Sequence, residues 1–289
     1  MGQRVITFGG REQPRLASAA AGIIPAPLEA TVSYGGGAAL GPGAIMSASG
    51  QMELYDELLG EEPIARGIYT HLAVDVCGET PEVLERVRRR VATELAEGRL
   101  PVVIGGEHTV TLGALAAVIE RHGTGFTLLT LDAHLDLRDS YQGRQLSHAC
   151  VMRRALEMGI AVRWLGTRSC SAAEAEFAAA QGLEPMWARQ VHQDGDWLDQ
   201  ALAGLSGPVY LSLDVDGLDP SLMPCTGTPE PGGLDWNQVT DWLLAVAGSH
   251  RILGMDLVEL APVNGWPASD FTAARLLYRA LGLALRGPR

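Results

Sequence analysis

Six short apolar, β-branched runs, at 68–76, 101–104, 126–131, 161–165, 209–213 and 252–258, lead into acidic or glycine-rich strings. Runs that are apolar throughout, not only at alternate positions, suit strands buried on both faces, and therefore a parallel sheet. Between them the apolar period lengthens, which predicts helices over 81–97, 109–121, 148–158, 171–181, 235–247 and 270–285. The clearest carries Val83, Val87, Val91 and Leu95 on one stripe, with Thr80 placed to cap it and Gly98 to end it. Ser171 and Glu174 have the spacing of a capping box, and Val239, Trp242, Leu243 and Val246 form a second stripe. Strand and helix alternate without a Pro/Gly/Ser linker long enough to divide the chain. The expected architecture is therefore one α/β domain over 1–289, three α/β/α layers around a mainly parallel sheet. Residues 1–18 are polar and glycine-bearing and are expected to form an arm or a loosely ordered end.

Composition narrows the function. Among 289 residues, 47% are apolar, ample for a buried core. No apolar run approaches the roughly 18 residues that span a bilayer, and the N-terminus lacks the apolar stretch of a secretory signal, so the expected location is cytoplasmic, away from membranes. Cys77, Cys150, Cys170 and Cys225 are scattered, which predicts free thiols. Twenty-two basic against 34 acidic residues, a formal charge of −12, disfavour a nucleic-acid partner held through phosphates.

Two acidic strings carry the chemistry: "DAHLDLRD" at 132–139 and "SLDVDGLDP" at 212–220, each directly after an apolar run. In extended chain, residues two apart share a face, so Asp132, His134 and Asp136 are expected to point one way, and Asp214 and Asp216 likewise. Four carboxylates at the edge of an apolar core repel one another and are costly to desolvate unless cations neutralise them. Two divalent ions balance the charge, and hard oxygen and imidazole donors without thiolate favour manganese or magnesium, manganese first. His108, in "GGEHTVTLG", falls at the same sheet rim and is either a further ligand or a structural histidine. Gly105 and Gly106 before it are plain turn residues or allow the backbone close to a metal cavity.

A pair of ions can lower the pKa of a shared water and present it to an electrophilic carbon. Glu259, at the end of the run 252–258, has the geometry to hold a planar guanidinium, with a buried ion pair as its alternative role. His148, in "SHAC", either moves protons to a leaving amine or caps a helix.

Together these strings resemble the ureohydrolase family of arginases, agmatinases, guanidinobutyrases and formimidoylglutamases. The resemblance runs from about Ile23 to Leu285 and rests on "GGEHTVTLG" (105–113), "DAHLDLRD", "SHAC" (147–150), "SLDVDGLDP" and "DLVELAP" (256–262). It implies an arginase-like α/β/α fold, two Mn²⁺ per subunit, and hydrolysis of a guanidino compound to urea and an amine. The implied ligands are His108, Asp132, His134, Asp136, Asp214 and Asp216. Asp136 is further implied to orient the hydroxide bridging the ions, His148 to be the proton shuttle, and Glu259 to hold the guanidinium. Thr228, in "TGTPEPGGL", matches a threonine lining the family's cleft, or serves a turn. The loop "RDSYQGRQLSHAC" is similar to agmatinase-type sequences, and the implied reaction turns agmatine, a small cationic substrate, into urea and putrescine. That would place the chain in polyamine biosynthesis. Guanidinobutyrate or another ω-guanidino acid is the alternative substrate, and a non-catalytic amine-binding scaffold the alternative of another class. Family likeness further implies a homo-oligomer, trimeric or hexameric.

Four positions depart from the family pattern. Gly41 and Ile45 stand beside "Pro-Gly" where arginines are usual, Ala149 follows His148 where glycine is usual, and Cys225 replaces a small residue. Altered substrate-side or subunit contacts are the expected consequence.

Overall fold

The computed structural model describes residues 6–288. Its strands are β1 (Ala21–Ala26), β2 (Ile68–Thr70), β3 (Leu100–Gly105), β4 (Thr127–Leu131), β5 (Ala161–Thr167), β6 (Met186–Trp187), β7 (Val209–Asp214) and β8 (Ile252–Val258). All eight join one parallel sheet in the order β2-β1-β3-β8-β7-β4-β5-β6. The helices are α1 (Gly41–Ser49), α2 (Thr80–Ala96), α3 (Val110–His122), α4 (Val151–Glu157), α5 (Ala172–Ala180), α6 (Ala188–Gln193), α7 (Trp197–Leu202), α8 (Trp236–Ser249) and α9 (Ala268–Arg286).

Burial explains the sequence pattern. β7 and β8 are buried along their whole length, as strands covered on both faces must be. On one face Ile23, Val102, Ile104, Leu131, Leu213 and Leu257 pack against α1, α8 and α9. On the other, Ile24, Val103, Leu128 and Val258 meet α2, α3 and α4. The stripe Val83, Val87, Val91 and Leu95 is buried in that second core. Ser171 and Glu174 do form a capping box, and Asp235 with Gln238 forms another at the start of α8. Thr80 is not the cap: it is the first helical residue and is buried, while Glu79 flanks the helix and Pro81 supplies a first-turn residue that needs no N–H partner. Gly98, at φ +72°, follows the end of α2 as expected.

Two strands lie outside the six predicted runs, β1 and the two-residue β6. β1, "AGIIPA", is rich in small residues and contains Pro25, yet it sits between β2 and β3. Its register shows why proline is tolerated. Pro25 lies two residues beyond Ile23, the last partner of β2, and its carbonyl accepts from Val74 N at 2.8 Å. The side that lacks an N–H therefore faces beyond the end of β2, where no ladder bond is lost. The run 68–76 correspondingly forms strand only over Ile68–Thr70.

Of the expected N-terminal arm, residues 1–5 lie outside the described residues. Beyond them Phe8 is buried, its ring centroid 6.3 Å from that of Tyr278, and its N–H donates to Thr70 Oγ1 at 3.0 Å. Among the described residues no helix is long and apolar enough to cross a membrane.

Candidate metal centre and active site

The four adjacent strands β3, β8, β7 and β4 carry the candidate site at their carboxyl ends. Ile104, Leu257, Leu213 and Leu131 stand in one row across them. Asp214 ends β7 and Asp132 directly follows the end of β4, so both stand one residue beyond that row. Chain leaving the ends of β3 and β8 brings His108 and Glu259 to the same rim, where parallel sheets gather their functional groups.

His108 Nδ1 lies 3.1 Å from Asp136 Oδ2, 3.3 Å from Asp132 Oδ2 and 3.4 Å from Asp214 Oδ2. His134 Nδ1 lies 3.0 Å from Asp216 Oδ2 and 3.7 Å from Asp132 Oδ1. Two groups able to hold a cation result, His108–Asp132–Asp136 and Asp132–His134–Asp216, sharing Asp132. All six proposed ligands are brought together, although not by strand alternation as expected. β4 ends at Leu131, and Asp136 turns the chain through φ +52°. On the other string Asp216 sits in a 3₁₀ turn, its N–H donating to Asp214 Oδ1 at 2.8 Å. The carboxylates converge because turns fold back on strand ends, a tertiary effect that period-two spacing does not describe.

Hydrogen bonds fix which nitrogen of His108 faces the carboxylates. Ser212 Oγ donates to Asp256 Oδ1 at 2.6 Å and therefore accepts from His108 Nε2–H, 2.8 Å away. Nδ1 is then the nitrogen that faces the three aspartates, open to a cation or, in its place, a proton. Tyr210 Oη holds the other oxygen of the buried Asp256 at 2.9 Å. None of Ser212, Tyr210 or Asp256 was singled out from sequence, although "SLDVD" and "DLVELAP" contain two of them.

With protons as the only neutralising charge, the cluster is electrostatically unfavourable. Burial and then the neighbouring Asp136 push Asp132 up to about 7. Burial, then Asp216 and Asp132, drives Asp214 well above the carboxylate range. Burial opposes charge on Asp216 too, but the attraction of His134 together with hydrogen bonds from His134 and Ala133 N lowers it instead. Burial works against charge on both histidines, yet the carboxylates hold His108 well above its ordinary value and His134 at about 11. His108 Nδ1 and Asp132 Oδ2 are buried without a hydrogen-bond partner. Orphaned donor atoms, four carboxylates and two imidazoles form a set that fits a pair of hard divalent ions.

A cavity of about 260 Å³ opens over this cluster, lined by His108, His134, Asp136, Asp214, Asp216, His148, Thr228 and Glu259 among others. Glu259 adopts φ +65°, a conformation uncommon outside glycine. Its Oε1 accepts from His108 N at 2.6 Å, its own N–H donates to Gly106 O, and Thr226 Oγ1 donates to its carbonyl. Burial pushes its carboxyl up to about 8, and among the described residues no basic side chain pairs with it. A charged, planar donor entering the cavity would find an anchored, unpaired acid. His148 opens a 3₁₀ turn, with Ser147 rather than His148 at the cap position. Burial lowers its pKa.

Several sequence expectations change. Gly105 and Gly106 serve packing: neither lines the cavity, and a Cβ on Gly106 would stand 2.0 Å from Leu28 O. Gly41 and Ile45 do not line it either. A Cβ at Gly41 would meet Leu260 O at 2.5 Å and Ile45 is fully buried, so neither position admits an arginine that reaches substrate. Cys225 is buried outside the lining, whereas Ala149 does line it. Thr31, Ser33, Arg138, Tyr141 and Glu174 also line the cavity and were missed as site residues. Arg168, half-buried, donates to the carbonyls of Gly166, Asp216, Gly217, Leu218 and Glu230, holding the turn that carries Asp216.

Comparison with known proteins agrees with this geometry. A family model described as the Arginase family matches residues 19–282. The chain is 37% identical over 273 residues to an N(1)-aminopropylagmatine ureohydrolase of Synechocystis sp., covering 92% of this chain and 89% of that protein. It is 35% identical over 268 residues to an agmatinase of Pyrococcus horikoshii, covering 91% and 92%. The solved agmatine ureohydrolase of Thermoplasma volcanium superposes with a TM-score of 0.89 at 27% identity, over 98% of this chain and 95% of that one.

Proposed function

The chain belongs to the arginase family, and from that premise we propose that it is an agmatinase-type ureohydrolase that hydrolyses an amine-tailed guanidine to urea and a polyamine. Agmatine, which would give putrescine, and its N(1)-aminopropyl derivative, which would give the longer triamine, are the candidate substrates; both occur in the names of relatives. The observation that carries the reading is one cavity lined by five members of the six-residue cluster and by the half-buried Glu259, which has no basic partner among the described residues.

His108, Asp132, His134, Asp136, Asp214 and Asp216 would hold two divalent ions, manganese by family likeness and donor chemistry. Such a pair supplies Lewis acidity and a water of lowered pKa. Glu259 accepts N–H bonds from the guanidinium, whose positive charge favours the ionised carboxylate despite burial. Asp136 orients the attacking water by accepting a hydrogen bond from it. Water oxygen bonds to the guanidinium carbon, the proton it releases passes to His148, the carbon–nitrogen bond to the chain breaks, and His148 hands that proton to the departing amine. Thr228 is a further lining group for the substrate.

Away from the cluster the wall offers Glu29, Glu174, Ser33 and Tyr141, which suit a cationic tail. Its arginine, Arg138, is held 3.7 Å from Glu174 Oε2 and stacks on Tyr141, 5.2 Å from the ring centroid. That same Arg138 favours a second reading, a carboxylate-tailed guanidine such as guanidinobutyrate. A trimer or hexamer and a cytoplasmic location belong to the family reading. Urea release by the Mn²⁺-loaded protein, compared over agmatine, N(1)-aminopropylagmatine, guanidinobutyrate and arginine, ranks the substrates. No urea from any guanidino compound would overturn the assignment.

A further inference from the structure

Glu107 has no role in the reaction described above, yet it is buried beneath the cavity wall, 1% exposed. One of its oxygens, Oε2, accepts both from Thr31 N–H and from Thr31 Oγ1, the latter at 3.0 Å. The other, Oε1, is buried without a partner. Thr31 Oγ1 in turn lies 2.7 Å from His148 Nδ1. Since the hydroxyl has one proton and directs it at a carboxylate, the oxygen is left only as an acceptor toward the ring. His148 Nδ1 must then carry hydrogen, and Nε2 is the nitrogen left with a lone pair. Nε2 lies 2.8 Å from Ser33 Oγ, whose other partner, Tyr141 Oη at 3.0 Å, is itself a hydroxyl; unlike the carboxylate of Glu107 it accepts or donates equally well, so Tyr141 donates to Ser33 and Ser33 donates to Nε2. The Tyr141 ring meets the imidazole edge-on at a centroid distance of 5.4 Å. Ser33, Tyr141 and His148 all line the cavity.

We propose that Thr31 and Glu107 are positioning residues that lock His148 in its Nδ1-protonated tautomer, leaving Nε2 to exchange protons with the reacting molecules. The arrangement repeats that at His108, where a serine hydroxyl committed to the buried Asp256 sets the ring the other way round. In each case a hydroxyl with its proton directed at a buried carboxyl oxygen becomes a fixed acceptor for one ring nitrogen. The inference rests on His148 being the proton-transferring group of the proposed reaction.

Thr31→Val keeps the shape and removes the hydroxyl. It should lower kcat by about 10- to 100-fold with little change in KM, Mn²⁺ content or melting temperature, and Thr31→Ser should restore kcat to within about threefold. In a His148→Asn background, Thr31→Val should cost nothing further, because the two residues act as a unit. Equal losses in both backgrounds would overturn the relay while leaving the shuttle intact. No loss of kcat in His148→Asn would overturn the shuttle, and with it the relay's catalytic purpose. The tautomer is also readable without turnover, from nitrogen–proton couplings of ¹⁵N-histidine-labelled protein loaded with diamagnetic Mg²⁺. The resonances lost in His148→Asn should report Nδ1–H in the unmodified protein and change in Thr31→Val. Nε2–H in the unmodified protein would refute the proposal outright.

Discussion

At the scale of single residues, charge on Glu259 can be separated from its shape. Glu259→Gln keeps the acceptor for His108 N and removes the negative charge offered to a guanidinium. Charge-assisted hydrogen bonds contribute about 1.5–3 kcal/mol, so kcat/KM for urea release should fall about 10- to 100-fold with both metal ions retained. Metal analysis showing loss of an ion would make Glu259 part of the ion site instead. Ser212 should behave oppositely. Ser212→Ala leaves His108 Nε2 and Asp256 without their shared hydroxyl, and loss of such a partner weakens metal binding by about 10- to 100-fold. Chelator competition should show that weakening, while kcat recovers at saturating Mn²⁺; unchanged affinity would show that the serine does not orient the ring. The candidate ligands were legible in sequence because unusual acids stand directly after apolar runs. Their supporting partners were not. Thr31 and Glu107 are 76 positions apart in sequence, and Thr31 and His148 are 117 apart, so only the folded chain reveals that a common threonine and an acid next to a histidine belong to one chain of hydrogen bonds.

Elements explain why the strong sequence signals were strong. β3, β4, β7 and β8, the strands that carry the site, are central and covered on both faces, so each reads as a continuous apolar run. β1 and β6 escaped notice for different reasons. β1 is built from small residues and a proline that only its offset from β2 excuses, and β6 has two residues. Sequence also gave a wrong account of the convergence it correctly anticipated, since the φ of +52° at Asp136 leaves no trace in the pattern Asp-x-His-x-Asp. Close packing between connections was equally invisible. Gly106 N donates to Ala26 O at 2.9 Å, and a Cβ there would stand 2.0 Å from Leu28 O, backbone that cannot swing aside. Gly106→Ala should therefore destabilise the fold by about 1–3 kcal/mol, the range of overpacked sites, and disturb Glu107 and His108 just beyond it. Gly43→Ala in α1, where a Cβ meets nothing within 4 Å, should leave the melting temperature unchanged or slightly raised. Equal melting temperatures for the two variants would show that the β3 exit can relax.

For the whole molecule, the cluster makes stability, pH and metal binding one linked property. Asp132 rises to about 7, Glu259 to about 8 and Asp214 well above the carboxylate range, so at pH 5–8 the folded, metal-free chain holds protons that the unfolded chain releases near pH 4. Because the native state binds more protons, the slope of unfolding free energy with pH is negative in this window. His134 acts in the same direction: its pair with Asp216 contributes fully below its ordinary value of 6.5 and is lost as pH rises toward about 11. The lowered Asp216 opposes them only at its own titration below 3.8, outside the window, and the lowered His148 opposes them inside it, below about 6.5, as one group against four. EDTA-treated protein should therefore melt at progressively lower temperature from pH 5 to pH 8. Dications replace those protons, so their apparent affinity must rise over the same interval. At a free Mn²⁺ concentration 100 times Kd, one site adds about 2.7 kcal/mol, and the gain in melting temperature on adding Mn²⁺ should be larger at pH 8 than at pH 6. Paired thermal melts with and without Mn²⁺ across that range measure both slopes. A metal-free protein that grows more stable toward pH 8, or a Mn²⁺ gain independent of pH, would mean that the four carboxylates are not the groups the ions neutralise.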